Sequence, residues 1–325
     1  MKALFTLLVT LTLLNIFALT AGAAPLDVYA QLFSTTFGSA YGLAQVAFKA
    51  TPLIFLGIAA SLAFRAGQLN IGLEGQIIVG SLVMGLTGAA FGETFPGWLG
   101  ALVACCAGML AATAFALIPA LLKLRLQAPE VMSSIMLNFI AAYGANMAIK
   151  KYAVAESTHT HAVPPGLRLT TFGAQGSQLS TAFFVAVALA LLTTWFLFRS
   201  RRGFDLRAFG ANPKAAELYG VSPARTVLLA FGASGALAGL AAMSYVLGQK
   251  GFHEDGFSGG IGFLALGVAL LARNHPLAVI PAALLFGFLQ YGSLAVNQLV
   301  PKEMMDVLTA AVMVTSLVVW AKRRT

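Results

Sequence analysis

Long apolar runs, interrupted by glycine, proline and small groups of charges, recur from one end of this chain to the other. Their length suits a bilayer, which a helix of about 20 predominantly apolar residues can cross. They predict helices near residues 4–21, 45–64, 74–91, 98–122, 129–149, 180–198, 225–247, 260–272, 277–296 and 305–321. Such helices leave only short connections, and no segment is long and polar enough for a separate soluble domain. The expected fold is an all-α polytopic membrane protein, a single transmembrane domain over residues 1–325 with about ten helices.

Composition sharpens this. The chain is 59% hydrophobic and 10% charged, with a mean hydropathy of +0.85, against roughly 25% charged residues in a soluble domain. A net charge of +9 raises the question of a nucleic-acid partner, but in a membrane protein the placement of the positive charges matters more than their number. With the N-terminus in the cytoplasm, the inner loops receive 14 of the 20 Lys and Arg residues and the outer loops 6. That asymmetry predicts both termini inside and explains the basic balance without nucleic acid. The opening "MKALFTLLVTLTLLNIFALTAGAAP" has the build of a signal peptide, but Pro25 directly after the small residues disfavours cleavage, so a retained first helix is expected. Cys105 and Cys106 are adjacent in an apolar run, where a mutual disulfide would be strained, and read as small packing residues.

Two connections are long enough to carry function. The outer one, about Lys150 to Leu179, holds "ESTHTHAVPPGLRL" and reads as an irregular flap. Its His159 and His161 lack carboxylate or thiolate company, so no metal site is expected. The inner one, Phe198 to Thr226, is the most charged segment of the chain. Within it "NPKAAELYG" spells a short helix: Asn212 as N-cap, Pro213 at the first helical position, then Lys214, Ala215, Ala216, Glu217, Leu218 and Tyr219, with Gly220 past the end. So short a helix must rest on something. On physics alone the loop is either a basic anchor for anionic headgroups, served by Arg199, Arg201, Arg202 and Arg207, or a docking element for another subunit.

Polar groups within a bilayer are costly and normally turn toward the protein interior or a water-filled path. Here they are Asn70, Glu74 and Gln76 in "LNIGLEGQ", Glu130, Ser134 and Asn138 on one face of the fifth predicted helix, and Asn297 and Gln298 near the end of the ninth. Each has a structural alternative, hydrogen bonding between helices; for Glu74 that alternative is a pairing with Arg65 at the inner turn. A second glycine-rich approach, "EDGFSGGIGF" at Glu254 to Phe263, enters its helix from the outer side. If predicted helices two to five and seven to ten are inverted repeats, the two breaks correspond, as broken helices do at transporter binding sites.

"NIGLEGQ", "APEVMSSIMLNFIA", "RGFDLRAFGANPKAAELYGVSPAR", "SGALAGLAA" and "GFLALGVALLARNHPLA" together resemble the permease subunits of bacterial ABC importers of the simple-sugar and nucleoside type, and most of all the nucleoside branch. The resemblance covers residues 45–325 as a family core, leaving 1–44 as a first helix and a periplasmic segment. It implies that residues 199–225 form a cytoplasmic coupling loop whose 212–220 helix docks on an ATPase subunit. ATP and Mg would then bind that other chain, with no cofactor here, in keeping with the absence of a G-x-x-x-x-G-K-[ST] loop. It further implies a second, different permease subunit, an extracytoplasmic substrate-binding lipoprotein, membrane lipid around the spans, and the bacterial inner membrane as location. The expected function is a transport subunit, not an enzyme, that provides a path for nucleosides, with simple sugars as the alternative solute and an ion-coupled transporter as a remoter one. Phe139, Tyr143, Tyr245 and Phe263 are the aromatic candidates for stacking on a nucleobase. Gly88–Gly92 and Gly235–Gly239 are small-residue faces for close helix packing.

Overall fold

In the computed structural model, residues 2–91, 96–152 and 157–321 are described; Gly92, Glu156 and the basic Lys322, Arg323 and Arg324 fall outside them. Among the described residues the regular elements are helices: α1 Lys2–Thr20, α2 Pro25–Phe37, α3 Ala40–Arg65, α4 Leu73–Phe91, α5 Gly97–Leu126, α6 Glu130–Tyr152, α7 Ala182–Arg199, α8 Arg201–Ala211, α9 Pro213–Leu218, α10 Pro223–Ala241, α11 Met243–Val246, α12 Ile261–Leu271, α13 Pro276–Ala295 and α14 Lys302–Ala321. Seven spans of the described residues, α3 to α7, α10 with α11, and α13, are long and apolar enough to cross a membrane, while α1 and α2 meet at a bend of 113°. The chain is an all-α, multi-pass membrane protein.

Burial follows from the character of each helix. An element apolar on all sides belongs in the centre, and every residue of α3 from Ala50 to Ala63 is buried. By contrast α5 buries a stripe of small residues, Gly100, Ala104, Gly108, Ala112, Ala116 and Ala120, and turns Trp98, Leu102 and Leu110 outward. Lipid is as apolar as leucine, so small side chains mark the protein-facing side because they let backbones approach. That closeness is visible where α4, α5 and α10 meet: a Cβ on Gly239 would lie 2.7 Å from the Gly108 carbonyl oxygen, and one on Gly80 2.7 Å from the Gly239 Cα. The Gly235–Gly239 face is thus spent inside this chain, against α5 and α4.

The helices pair in a self-consistent pattern. α3 packs on α13 as α10 packs on α5, α3 on α12 as α10 on α4, α4 on α5 as α12 on α13, and α4 on α6 as α12 on α14. Exchanging α3–α6 with α10, α12, α13 and α14 therefore maps these pairings onto one another, while α7 packs on α3 and α13 alone of the two sets. At the start of the chain, Leu14 and Ala18 of α1 and Val28 and Leu32 of α2 share a core with Met305 and Leu308 of α14.

Candidate functional site

The break before α4 is held by side-chain amides. Asn70 donates to Gln76 Oε1 (3.1 Å) and to Ser234 Oγ on α10 (2.9 Å), while its own Oδ1 accepts from Gln76 Nε2 (2.9 Å) and the Gly72 amide (3.1 Å). Both side chains are almost fully buried. Asn138 of α6 caps the same helix from outside: its Oδ1 accepts from the Gly75 amide (2.8 Å) and its Nδ2 donates to the Ile71 carbonyl (3.1 Å). The first amides of a helix have no partner of their own, and here an amide from a neighbouring helix supplies one.

Glu74 does the same for α12. Its Oε1 accepts from the Gly260 amide (3.0 Å) and its Oε2 from the Gly262 amide (2.7 Å). Gly260, at φ +81°, is the N-cap of α12 and offers no side chain to do the work itself. Being in the first turn of α4 as well, the carboxylate sits at the positive ends of two helix dipoles at once. Glycine is required for this approach: a Cβ on Gly262 would stand 2.4 Å from the Glu74 nitrogen and 2.8 Å from Oε2. The expected pairing of Glu74 with Arg65 is not formed. After α3 the chain turns through Gly67, at φ +69° and packed on Gly210, and leads Glu74 away. Arg65 instead donates to the Asn274 carbonyl (2.8 Å) and the Arg273 carbonyl (3.3 Å), just past the C-terminus of α12 where a cation is favoured. With eleven residues, α12 rises about 16 Å from that end, half of a hydrocarbon core roughly 30 Å thick. The two glycine-rich approaches, read from sequence as arriving from opposite faces, meet at Glu74, one α12 length from Arg65.

Beside this junction lies a cavity of about 310 Å³ between α4, α6, α12 and the segment before α12, at the small end of the roughly 300–1,000 Å³ typical of small-molecule sites. Glu74, Ile78, Asn138, Phe139, Ala145, His253, Asp255, Phe257, Ser258 and Phe263 are among its lining residues. Its roof is knitted to the long loop after α6. The Thr160 amide donates to the His253 carbonyl (2.9 Å), the Asp255 amide to the Thr158 carbonyl (3.0 Å) and the Val163 amide to the Gly251 carbonyl (2.6 Å). The loop is a clamp on the segment ahead of α12, where sequence reading expected an irregular flap. His159 stacks on Phe252 with ring centroids 4.4 Å apart and places Nδ1 2.9 Å from the Thr160 carbonyl.

Of the eight polar residues singled out, Glu74 and Asn138 reach this cavity, whereas Asn70 and Gln76 hold each other beneath it. Ser134 is fully buried next to Gly72. Glu130 lies two helical turns from Asn138, about 12 Å along the axis, and pairs with Lys123 (3.0 Å), which also donates to Gln68 Oε1 (2.8 Å). Asn297 accepts from the Lys302 amide (3.0 Å) in the turn before α14, and Gln298 is exposed there. Among the aromatics Phe139 and Phe263 line the cavity; Tyr245 packs edge-on against Phe48 and Phe257, and Tyr143 is 74% exposed on the outer face of α6. Sequence reading missed His253 and Asp255. The available signal was a histidine one residue ahead of the glycine-rich approach, an ionisable group in a largely apolar chain.

The basic loop is more structured than its charges suggested. α8, unforeseen, is capped by Ser200 Oγ on the Gly203 amide (3.0 Å) and buries Leu206 and Phe209. Arg207 turns back, donating to the Leu197 carbonyl (2.9 Å) and lying over the Phe198 and Phe204 rings, so it serves the fold in place of the headgroup role considered for it. The short helix forms as α9: Asn212 Oδ1 accepts from the Ala215 amide (3.1 Å), Pro213 takes the first position and Gly220 adopts φ +87°. Only Ala216 is buried, and Leu218 and Tyr219 stand 88% and 90% exposed at its tip.

Residues 42–317 match the family described as the permease component of the branched-chain amino acid transport system. The chain belongs to this permease family. The permease is similar to the guanosine ABC transporter permease NupP of Bacillus subtilis, 31% identical over 301 residues that cover 90% of this chain and 86% of NupP. It is similar to the nucleoside ABC transporter permease NupB of Lactococcus lactis, 30% identical with 91% and 85% covered. It also matches the glucose ABC transporter permease TsgB13 of Haloferax volcanii, 30% identical with 89% and 79% covered. A permease component carries solute and is not an enzyme.

Proposed function

We propose that this permease provides the path by which nucleosides cross the bacterial inner membrane, as the membrane-spanning subunit of an ATP-driven importer. The observation that carries the transport reading is the cavity at the junction of α4 and α12, where two helix N-termini meet, the kind of junction at which transporters commonly place their sites. The solute class is supported by the guanosine and nucleoside permeases it resembles over nine-tenths of its length. The family's description names branched-chain amino acids, but curated members carry other solutes in their names, so membership alone does not set the solute. Glucose is the second reading, favoured by TsgB13.

In this reading α3–α6 and α10–α14 are inverted repeats, the α8–α9 end faces the cytoplasm with both termini, and α9 delivers Leu218 and Tyr219 to a groove of an ATPase subunit that binds ATP and Mg. A second, different permease and an extracytoplasmic substrate-binding lipoprotein complete the importer, with lipid around the spans. The test is uptake of labelled guanosine, adenosine, uridine and glucose by a strain lacking nucleoside importers and supplied with all the subunits. Nucleoside uptake that stops when this chain is omitted is expected. Uptake of glucose alone would overturn the solute class, and uptake by this chain alone under a proton or sodium gradient would overturn the dependence on ATP.

A further inference from the structure

The cavity lies at one end of α12, and at the other end a single side chain ties that helix to the basic loop. Gly210, next to last in α8, sits directly on the backbone at the end of α3: a Cβ there would overlap the Arg65 carbonyl oxygen and stand 2.8 Å from the Gly67 nitrogen. Asn212, the cap of α9, follows two residues later. From this same Arg65 the guanidinium crosses to the C-terminus of α12, where it holds the Asn274 and Arg273 carbonyls together (2.8 and 3.3 Å). Phe198, near the end of α7, braces the contact. The Arg65 and Arg207 guanidinium groups lie 5.5 and 5.1 Å from its ring centre, and His275 stacks on it with centroids 5.1 Å apart.

The turn that Arg65 holds is not a relaxed one. Arg273 and Asn274 both have left-handed backbones, at φ +52° and +54°, a conformation costly for any residue with a Cβ. Asn274 Oδ1 is moreover buried with no hydrogen-bond partner, an exception among buried polar groups that calls for an explanation. Conformations of this kind persist where the surroundings impose them, and what imposes this one is a planar fork that meets two carbonyls at once, which arginine has and lysine lacks. We propose that Arg65 is the positioning residue that passes movement of the α8–α9 loop to α12 and so to the cavity. The inference rests on the reading of α9 as the element docked on an ATPase subunit, and it names the route from there. Displacement of α9 bears through Gly210 on the end of α3, the fork loses its hold on the two carbonyls, and the turn relaxes. Because α12 has only eleven residues, a shift at that end reaches the Gly260 and Gly262 amides that Glu74 holds at the other.

The test is the amount of labelled solute taken up per ATP hydrolysed by the whole importer in proteoliposomes, with guanosine as the probe and glucose in its place if guanosine is not carried. Arg65→Gln is expected to keep ATP hydrolysis per assembled complex within about twofold while the uptake ratio falls at least about fivefold, the low end of ordinary coupling between sites. Arg65→Lys, which restores the cation without the fork, should recover part of the ratio. Phe198→Leu keeps an apolar side chain and removes the shared ring face; it should lower the ratio less than Arg65→Gln, and the double variant should lose no more than Arg65→Gln alone. If Arg65→Gln does not assemble, Phe198→Leu decides. A side chain that only caps α12 would lower uptake and hydrolysis together, in step with the amount of assembled protein and with the ratio unchanged, and that result would overturn the inference. A wild-type importer that takes up guanosine with ATP would leave the proposed function standing in that case, whereas uptake that needs no ATP would remove both.

Discussion

Glu74→Gln is the sharpest probe of the junction, because it keeps the volume and changes only what the head group can accept. Glutamate offers two oxygens and meets two amides, Gly260 and Gly262, at 3.0 and 2.7 Å. Glutamine has one oxygen, and its NH₂ must face the other amide, donor against donor. The loss is one bond to a charged acceptor, worth about 1.5–3 kcal/mol, with a buried donor left unmade. Removing the charge from two helix N-termini adds roughly 0.3–1 kcal/mol. A destabilisation of about 2–4 kcal/mol follows, on the order of 5 °C in melting temperature for a chain of this size. The assay is thermal unfolding of the purified chain in detergent, followed by its tryptophan fluorescence at one scan rate. A variant that melts with the wild type would refute the argument that this carboxylate caps α12.

Further outcomes follow from the same geometry. Gly262→Ala drives a methyl into Glu74 and is expected to lower the melting point by several degrees; combined with Glu74→Gln the losses should fall short of their sum, since both act on one contact. Gly239→Leu forces α10 off α5 at the Gly108 carbonyl and should remove the chain from the membrane fraction, as read by immunoblot. Leu218→Asp with Tyr219→Asp alters a tip that is nine-tenths exposed, so the melting point should hold within about a degree, while uptake by the assembled importer falls at least tenfold and its ATPase activity loses its dependence on binding protein. Glu217→Arg, or a glycine inserted in the 212–220 helix, should uncouple hydrolysis from uptake in the same way.

What the sequence made legible was local. Apolar length announced the spans, and α9 could be read residue by residue because Asn212, Pro213 and Gly220 act within a single turn or two. α8 was hidden by its charge: the arginines suggested a headgroup anchor or a docking loop, while its cap is one serine and its buried face only Gly203, Leu206 and Phe209. The outward faces of α5 and α6 were equally opaque. In water a stripe of large apolar residues marks the core, but in lipid the marker is inverted, and the stripe to follow is Gly100–Ala104–Gly108–Ala112.

The junction itself escaped for a different reason. Glu74 meets partners 186 and 188 positions away, and what it meets is backbone, which carries no side-chain signature. Arg65, nine residues off and of opposite charge, was the natural partner on paper. Two features of the fold decide otherwise: Gly67 turns the chain between α3 and α4, and α12, only eleven residues long, ends its C-terminal turn at Arg65 and begins its N-terminal turn at Glu74. A cation at one end and an anion at the other is the assignment the α12 dipole favours. The two residues that seemed to form one ion pair instead serve opposite ends of the same short helix, and it is that division which brings a helix N-terminus, a carboxylate and a cavity together.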